Sequence, residues 1–296
     1  MSTANGPATV GFAGLGAMGL PMAVNLARAG IDTVAWNRSA AAGVRAAAAG
    51  VRVVARPADV SATASTVITM LPDLPQVRQL LEAPDGLLGA GTRLDTLVVM
   101  GTVSPVGVRE LAGELRPRGV AVIDAPVSGG RRGATDATLS IMVGSDERDF
   151  GRLRPYLDAM GRTVRHMGPV GTGSLTKACN QLVVAGTLAA LAEAVVLGER
   201  GGLAPEALLD VLGGGLAASE VLIQKRDHLV GGDFHGSGPA DYLVKDLGFG
   251  LASAADSGAD LPVTTAVAAL YRSAVADGLG HLDNSVILDV LRRRAR

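Results

Sequence analysis

Aromatic side chains are nearly missing from this chain, which has one Trp, three Tyr and four Phe in 296 residues. With so few large rings and so much alanine, its helices are expected to pack closely through small side chains. Cysteine is scarcer still. The single Cys179 excludes an internal disulfide. Together with the missing basic region and apolar core of a secretion signal in Met1–Pro7, it points to the cytoplasm. The four histidines (His166, His228, His235 and His281) show no ligand spacing, and neither H-E-x-x-H nor C-x-x-C occurs, so no metal site is expected. Ser128 lies in no nucleophile elbow, and no histidine is obviously paired with it. Charge of one sign is lacking too: 27 basic against 28 acidic residues leave a net charge of −1. That balance offers no footprint for nucleic acid or an anionic membrane.

What the chain has in abundance is glycine, 40 residues of it, on a background that is 48% hydrophobic. The length suggests two domains. In the first half, short apolar runs alternate with helical stretches. Val10 to Ala13 reads as a strand, Gly14-Leu15-Gly16-Ala17-Met18-Gly19 as a tight turn, and Leu20 to Ala29 as a helix. This is the context a G-x-G-x-x-G dinucleotide fingerprint requires, although glycines also make ordinary turns. Gly14 permits the turn, Gly16 lets a pyrophosphate approach the backbone, and Gly19 lets helix and strand pack. The next strand, Thr33 to Trp36, ends at Asn37-Arg38-Ser39. A carboxylate here would bind a ribose 2′-hydroxyl, whereas Arg38, helped by Asn37 and Ser39, attracts a 2′-phosphate, so NADP(H) is favoured over NAD(H). The plainer alternative is a surface arginine at a helix start.

The alternation continues through Val51–Val54, Thr66–Met70, Leu97–Met100 and Val120–Ile123, with extra edge strands at Leu139–Val143 and Val164–His166 around a helix from Glu147 to Met160. It predicts an α/β Rossmann-type doubly wound, mostly parallel sheet with ligands beyond the strands' carboxyl ends. Leu71, Pro72 and Thr102 fall there, bordering a cofactor or serving as plain turn residues. Ser128-Gly129-Gly130 offers a hydroxyl and successive N–H groups, a small anion nest suited to a substrate carboxylate, or an ordinary turn.

After Gly173 the strands vanish. Six helices are expected, over Ser174–Arg200, Pro205–Leu212, Ser219–Leu229, Tyr242–Ser257, Pro262–Asp277 and Ser285–Arg293, so a cofactor-binding domain over 8–170 is followed by an all-α domain over 171–296. The apolar span Leu182–Gly198 contains Glu193 and is too short to cross a membrane, so it reads as a buried helix. Where that helix begins, Lys177, Asn180 and Gln181 sit at i, i+3 and i+4 and share a face. Cys179, about 200° around the helix from Lys177, is expected to be a packed core thiol. Gly168, Gly171 and Gly173 read as a hinge, and the Lys245-Asp246 pair as a solvated charge pair unless a site claims it.

With Gly14–Gly19, Asp124–Gly130, Lys177–Gln181 and Lys245-Asp246 in this order, the chain resembles the β-hydroxyacid dehydrogenase family from Val10 to about Leu291. The resemblance implies a Rossmann domain, a helical domain and a homodimer or homotetramer. It makes Lys177 the catalytic general acid/base and Ser128–Gly130, Asn180 and Gln181 the substrate contacts. Gly14–Gly19, Thr102 and Lys245 become cofactor contacts. The stretches Ile68–Pro75, Lys177–Gln181, Gly213–Leu222 and Ala276–Gly280 are most similar to the branch that reduces tartronate semialdehyde (2-hydroxy-3-oxopropionate) to glycerate. Oxidation of 3-hydroxyisobutyrate and reduction of succinic semialdehyde or glyoxylate are the alternatives within the family. Imine reduction stands further off, because relatives of that kind usually carry Asp or Tyr at the lysine position. Ala137, Met100 and the segment from Gly231 to Asp241 depart from the family pattern.

Overall fold

The computed structural model describes residues 8–236 and 238–295. By its internal contacts the chain divides into two compact units, one ending at Lys177 and one beginning at Ala178.

In the first unit, strands β1 (Val10–Ala13), β2 (Thr33–Trp36), β3 (Arg52–Val53), β4 (Thr66–Thr69), β5 (Thr96–Val99) and β6 (Ala121–Asp124) run parallel in the order 3-2-1-4-5-6. The chain returns through β7 (Val127–Ser128), β8 (Leu139–Gly144) and β9 (Gly161–Gly168); β8 is antiparallel to β6 and β7, and β9 is parallel to β8. The strand order is that of the doubly wound dinucleotide fold. Both extra strands expected after the parallel run are present, but β8 is not an edge strand, because β6 and β7 pair along one side of it and β9 along the other.

Side-chain alternation along the strands builds two apolar layers. Val10, Phe12, Ile68, Val98 and Ile123 face α1 (Gly19–Arg28) and α7 (Glu147–Asp158). Ala13, Val67, Leu97, Val99 and Val122 face α3 (Pro57–Thr63), α4 (Leu74–Glu82) and α5 (Pro105–Leu115). Helices α2 (Ala40–Ala48) and α6 (Gly130–Thr135) complete the unit. The last was not foreseen, because a six-residue helix of Gly, Arg, Ala and Thr has too little apolar periodicity to be read from sequence.

Helix α8 (Thr172–Arg200) runs without interruption through the division between the units. The second unit adds α9 (Pro205–Gly213), α10 (Glu220–Gly231), α11 (Ala240–Ser257), α12 (Pro262–Ala276) and α13 (Ile287–Arg294), with a 3₁₀ turn, Asn284–Val286, ahead of α13. Its core joins Leu188, Ala192 and Val195 of α8 to Leu209, Leu243, Tyr271 and Ile287.

Two expectations about α8 need correcting. By length and composition it could cross a membrane: its most apolar stretch has a mean hydropathy of 1.8, and 39% of that stretch is buried. The expected buried helix is therefore covered on one side only. Along its other side Leu175, Cys179, Val183 and Leu197 are exposed, the last two at 67% and 76%. Cys179 does point away from Lys177, but among the described residues no element covers that face.

Candidate active site

The first unit gathers its predicted residues at the carboxyl ends of the parallel strands. Gly14 to Gly19 link β1 to α1. A methyl group on Gly19 would collide with the Gly14 carbonyl, so this turn closes only with glycine there. Leu15 inserts its side chain into the core and donates its N–H to Asn37 Oδ1 at 2.8 Å, tying the end of β2 to the turn. Asn37 also donates to the Ser39 carbonyl at 3.0 Å. Arg38 and Ser39 beside it are exposed, and Ser39 caps α2 without a side-chain hydrogen bond.

Leu71 crosses beneath the turn. A Cβ on Gly14 would come within 2.5 Å of the Met70 carbonyl and 2.9 Å of the Leu71 side chain, and one on Gly101 would strike the Leu71 carbonyl. Gly14, Leu71 and the Gly101-Thr102 loop are thus packed side by side. Pro72 is exposed and Thr102 half-buried.

These residues fit a dinucleotide. Gly16 and Ala17 are exposed, and a methyl group on Gly16 would meet nothing within 4 Å. Helix α1 has no acidic residue in its first turn, and Met18 at its N-cap makes no side-chain hydrogen bond. An uncapped helix start with open space above it suits a pyrophosphate.

The other end of the site is built around Asp124, whose role was not read from the sequence. It ends β6, is fully buried, and accepts the Gly171 N–H at 2.7 Å on Oδ1 and the Ser174 N–H at 2.6 Å on Oδ2. Burial raises its pKa above the ordinary carboxylate value, against the pull of those two donors. Removing a carboxylate from water costs several kcal/mol. Charge-assisted hydrogen bonds return about 1.5–3 kcal/mol each, and burial is the larger of the two opposing effects.

Two of the glycines read as a hinge are also closely packed around Asp124. Gly171 takes φ +94° against the Arg109 side chain, and a Cβ on Gly173 would strike the Met142 carbonyl and lie 2.7 Å from the Asp124 carbonyl. Three residues beyond Ser174, Lys177 is 8% exposed. Ser128, half-buried, lies four residues beyond Asp124, followed by Gly129 and Gly130 with φ of 128° and 62°. A cleft of about 600 Å³ beside Arg109, His166 and Pro169 contains none of the predicted site residues.

In the second unit, Gln181 donates its amide to Asp246 Oδ2 at 2.7 Å, and Lys245 pairs with Asp246 Oδ1 at 2.8 Å while its ammonium lies 4.8 Å from the Phe249 ring centre. Asp246 is 5% exposed, so the pair is not the solvated one its sequence suggests. Asn180 is half-buried. Because α8 is continuous, Lys177, Asn180 and Gln181 share one helix face as their spacing predicts. Among the described residues no group of three or more His, Cys, Asp or Glu could hold a metal ion.

Comparison with known proteins agrees with this layout. Residues 9–168 match the NAD binding domain of 6-phosphogluconate dehydrogenase, and residues 171–291 match a family described as NAD-binding of NADP-dependent 3-hydroxyisobutyrate dehydrogenase. The chain is 34% identical to 2-(hydroxymethyl)glutarate dehydrogenase of Eubacterium barkeri, over 95% of this chain and 94% of that one. It is 33% identical to 2-hydroxy-3-oxopropionate reductase of Escherichia coli K12, over 97% and 98%. A solved structure of Mycobacterium tuberculosis 3-hydroxyisobutyrate dehydrogenase with L-serine superposes with a TM-score of 0.83 at 34% identity, covering 97% of this chain and all of that one. The chain belongs to the NAD(P)-dependent β-hydroxyacid dehydrogenases, oxidoreductases that act on hydroxyl groups.

Proposed function

We propose that the chain reduces a short semialdehyde carrying a carboxylate, with tartronate semialdehyde going to glycerate at the expense of NADPH. The observation that carries this reading is Lys177, a buried lysine in the second turn of a helix whose start is bound to the carboxyl end of β6. That is the sheet edge at which the glycine turn opens. When bound, the nicotinamide supplies the hydride. Lys177 gives a proton to the carbonyl oxygen as it becomes an alcohol, and takes it back in the reverse direction. General acid help of this kind accelerates a reaction by roughly 10² to 10⁴. Ser128, Gly129 and Gly130 hold the substrate carboxylate. Asn180 and Gln181 orient the substrate oxygens, with Gln181 itself steadied by Asp246. Leu71, Pro72, Thr102 and Lys245 border the cofactor.

The preference for NADPH rests on Arg38 and Ser39, exposed at the start of α2 with no acidic residue in its first turn. Asn37 shapes the turn that carries them. Oxidation of 3-hydroxyisobutyrate is the second reading, supported by the second family match and by the M. tuberculosis structure. The exposed apolar side of α8, together with exposed Val211, Leu216 and Ile223, supports a homodimer or homotetramer, which light scattering would detect. We place the enzyme in the cytoplasm on the strength of its single cysteine.

Initial rates on tartronate, methylmalonate and succinic semialdehydes and on glyoxylate, each with NADPH and NADH, test the reading. Tartronate semialdehyde with NADPH should be the best pair. Lys177→Ala should lower turnover by about 10² to 10⁴ while cofactor binding survives. Arg38→Ala should cut the NADPH-to-NADH preference by about tenfold or more. Full activity without Lys177 would remove the mechanism, and an NADH preference in the wild type would remove the role of Arg38.

A further inference from the structure

Asp124 has the burial of a core residue and the charge of a surface one. Both its carboxylate oxygens are used, and both bind the start of α8, one at Gly171 just ahead of the helix and one at Ser174 in its first turn. The fit around it admits no side chain. A Cβ on Gly144 would strike Asp124 Oδ1 and lie 2.9 Å from the Gly173 nitrogen, and a Cβ on Gly173 would lie 2.9 Å from the Gly144 nitrogen. The helix start is therefore seated directly on the ends of β6 and β8. Lys177 follows Ser174 by three residues of continuous helix, about 4.5 Å of rise. From Asp124, where β6 ends, the chain runs on through Ala125 and Pro126 into β7, Val127 and Ser128.

We infer that Asp124 is the positioning residue of the active site: one strand end holds the start of the helix whose next turn carries Lys177 and, four residues on, leads into the Ser128–Gly130 loop, so the proton donor and the carboxylate grip are set against a common anchor. The inference rests on the proposed role of Lys177 and adds what holds that lysine in place. Asp124 touches neither substrate nor cofactor in this scheme. Its effect passes entirely through the helix backbone, where a displacement of about 1 Å is enough to cost on the order of 100-fold in rate.

The test compares wild type, Lys177→Ala, Asp124→Asn and the double variant. Each is assayed at saturating NADPH on the aldehyde the wild type reduces best. The two proteins that keep Lys177 are also treated with acetic anhydride across a pH series, and acetylation of Lys177 is followed by mass spectrometry. The Asn amide nitrogen donates rather than accepts, so one of the two N–H groups loses its partner. Asp124→Asn should lower kcat by about 10- to 100-fold, leave NADPH affinity within about threefold, and alter the acetylation profile of Lys177 but not of half-buried Lys245. In the Lys177→Ala background the same substitution should change kcat by less than about twofold, since the group it positions is gone. An equal loss in both backgrounds with an unchanged Lys177 profile would overturn the inference. If Lys177→Ala keeps full activity, the proposed function fails on its own account, and the acetylation profile still decides for or against positioning. Should Asp124→Asn not fold, Gly173→Ala replaces it in the cycle, because it keeps the carboxylate and crowds the turn off the Met142 carbonyl.

Discussion

Two glycine-rich turns in this molecule feed a helix at the carboxyl end of the sheet, and they treat the start of that helix in opposite ways. Between β1 and α1 the turn is closed from beneath by Gly14 and Gly19 and left open above Gly16, with no acidic residue in the first turn of the helix. Between β9 and α8 a protein carboxylate fills the corresponding role, buried and bound to two backbone N–H groups. A helix N-terminus attracts an anion in both cases. At α1 the anion is to arrive with the cofactor. At α8 it is built in, and the helix is committed to one place. Glycine spacing alone does not distinguish the two; what stands opposite the helix start does.

Occupying the open turn should break the comparison most sharply. Gly16→Glu places a carboxylate where a pyrophosphate is to sit, and like charges brought together at an interface cost several kcal/mol. NADPH affinity should fall by about 100-fold or more, roughly 2.7 kcal/mol, as measured by quenching of protein fluorescence. Because nothing lies within 4 Å of a Cβ at Gly16, the thermal midpoint should stay within about 2 °C. An undiminished affinity would mean the turn does not hold the phosphates. The reverse pattern is expected at the closed turn. Gly173→Ala crowds the carbonyls of Met142 and Asp124 and should cost about 1–3 kcal/mol in urea unfolding, with cofactor affinity preserved.

A smaller effect follows from the titration of Asp124. Its carboxyl pKa is raised by burial, so the folded chain holds this proton to a higher pH than the unfolded chain does. Between the two values the folded state binds more protons, and stability contributed by this group falls as pH rises through that window. Asparagine does not titrate. The stability lead of wild type over Asp124→Asn should therefore be widest at the acid end and narrow as pH climbs above the ordinary carboxylate range, then hold constant. Urea midpoints for both proteins at a series of pH values would show it. A lead that widens with pH would mean that the Gly171 and Ser174 donors outweigh burial.

The open turn was legible and the closed one was not. Gly14, Gly16 and Gly19 stand at a strand–helix junction, and that local context is written within about ten residues of sequence. The mostly parallel, doubly wound sheet followed from the βα alternation in the same way. Asp124 meets Gly171 and Ser174 across 47 and 50 residues of chain, and nothing near it announces which helix it will cap. Asp246 is similar, since its partner Gln181 lies 65 residues away. A mark that could have exposed Asp124 is chemical: an acidic residue ending an otherwise apolar strand in a chain this uncharged must find donors when buried. The close packing of Gly171 and Gly173 was hidden because glycine serves flexibility and close packing alike. Only the neighbours of Gly171 and Gly173 decide between them.

Ala137 supplies the smallest test, and it separates the two uses of glycine cleanly. It follows α6 with φ +54°, the one described residue other than glycine with positive φ. The left-handed region costs an L-residue with a Cβ roughly 1 kcal/mol or somewhat more. This is one of the positions at which the sequence departs from the pattern of the family it resembles. Ala137→Gly relieves that strain and loses some of the gain to the greater freedom of glycine in the unfolded chain. The net stabilisation should be about 0.5–1 kcal/mol, seen as a higher urea midpoint with unchanged slope. Cofactor affinity and turnover should not move, because Ala137 makes no part of either turn. Stabilisation together with altered turnover would mean that strain at Ala137 is transmitted through β8, which begins two residues later, to the seat of α8 at Gly144.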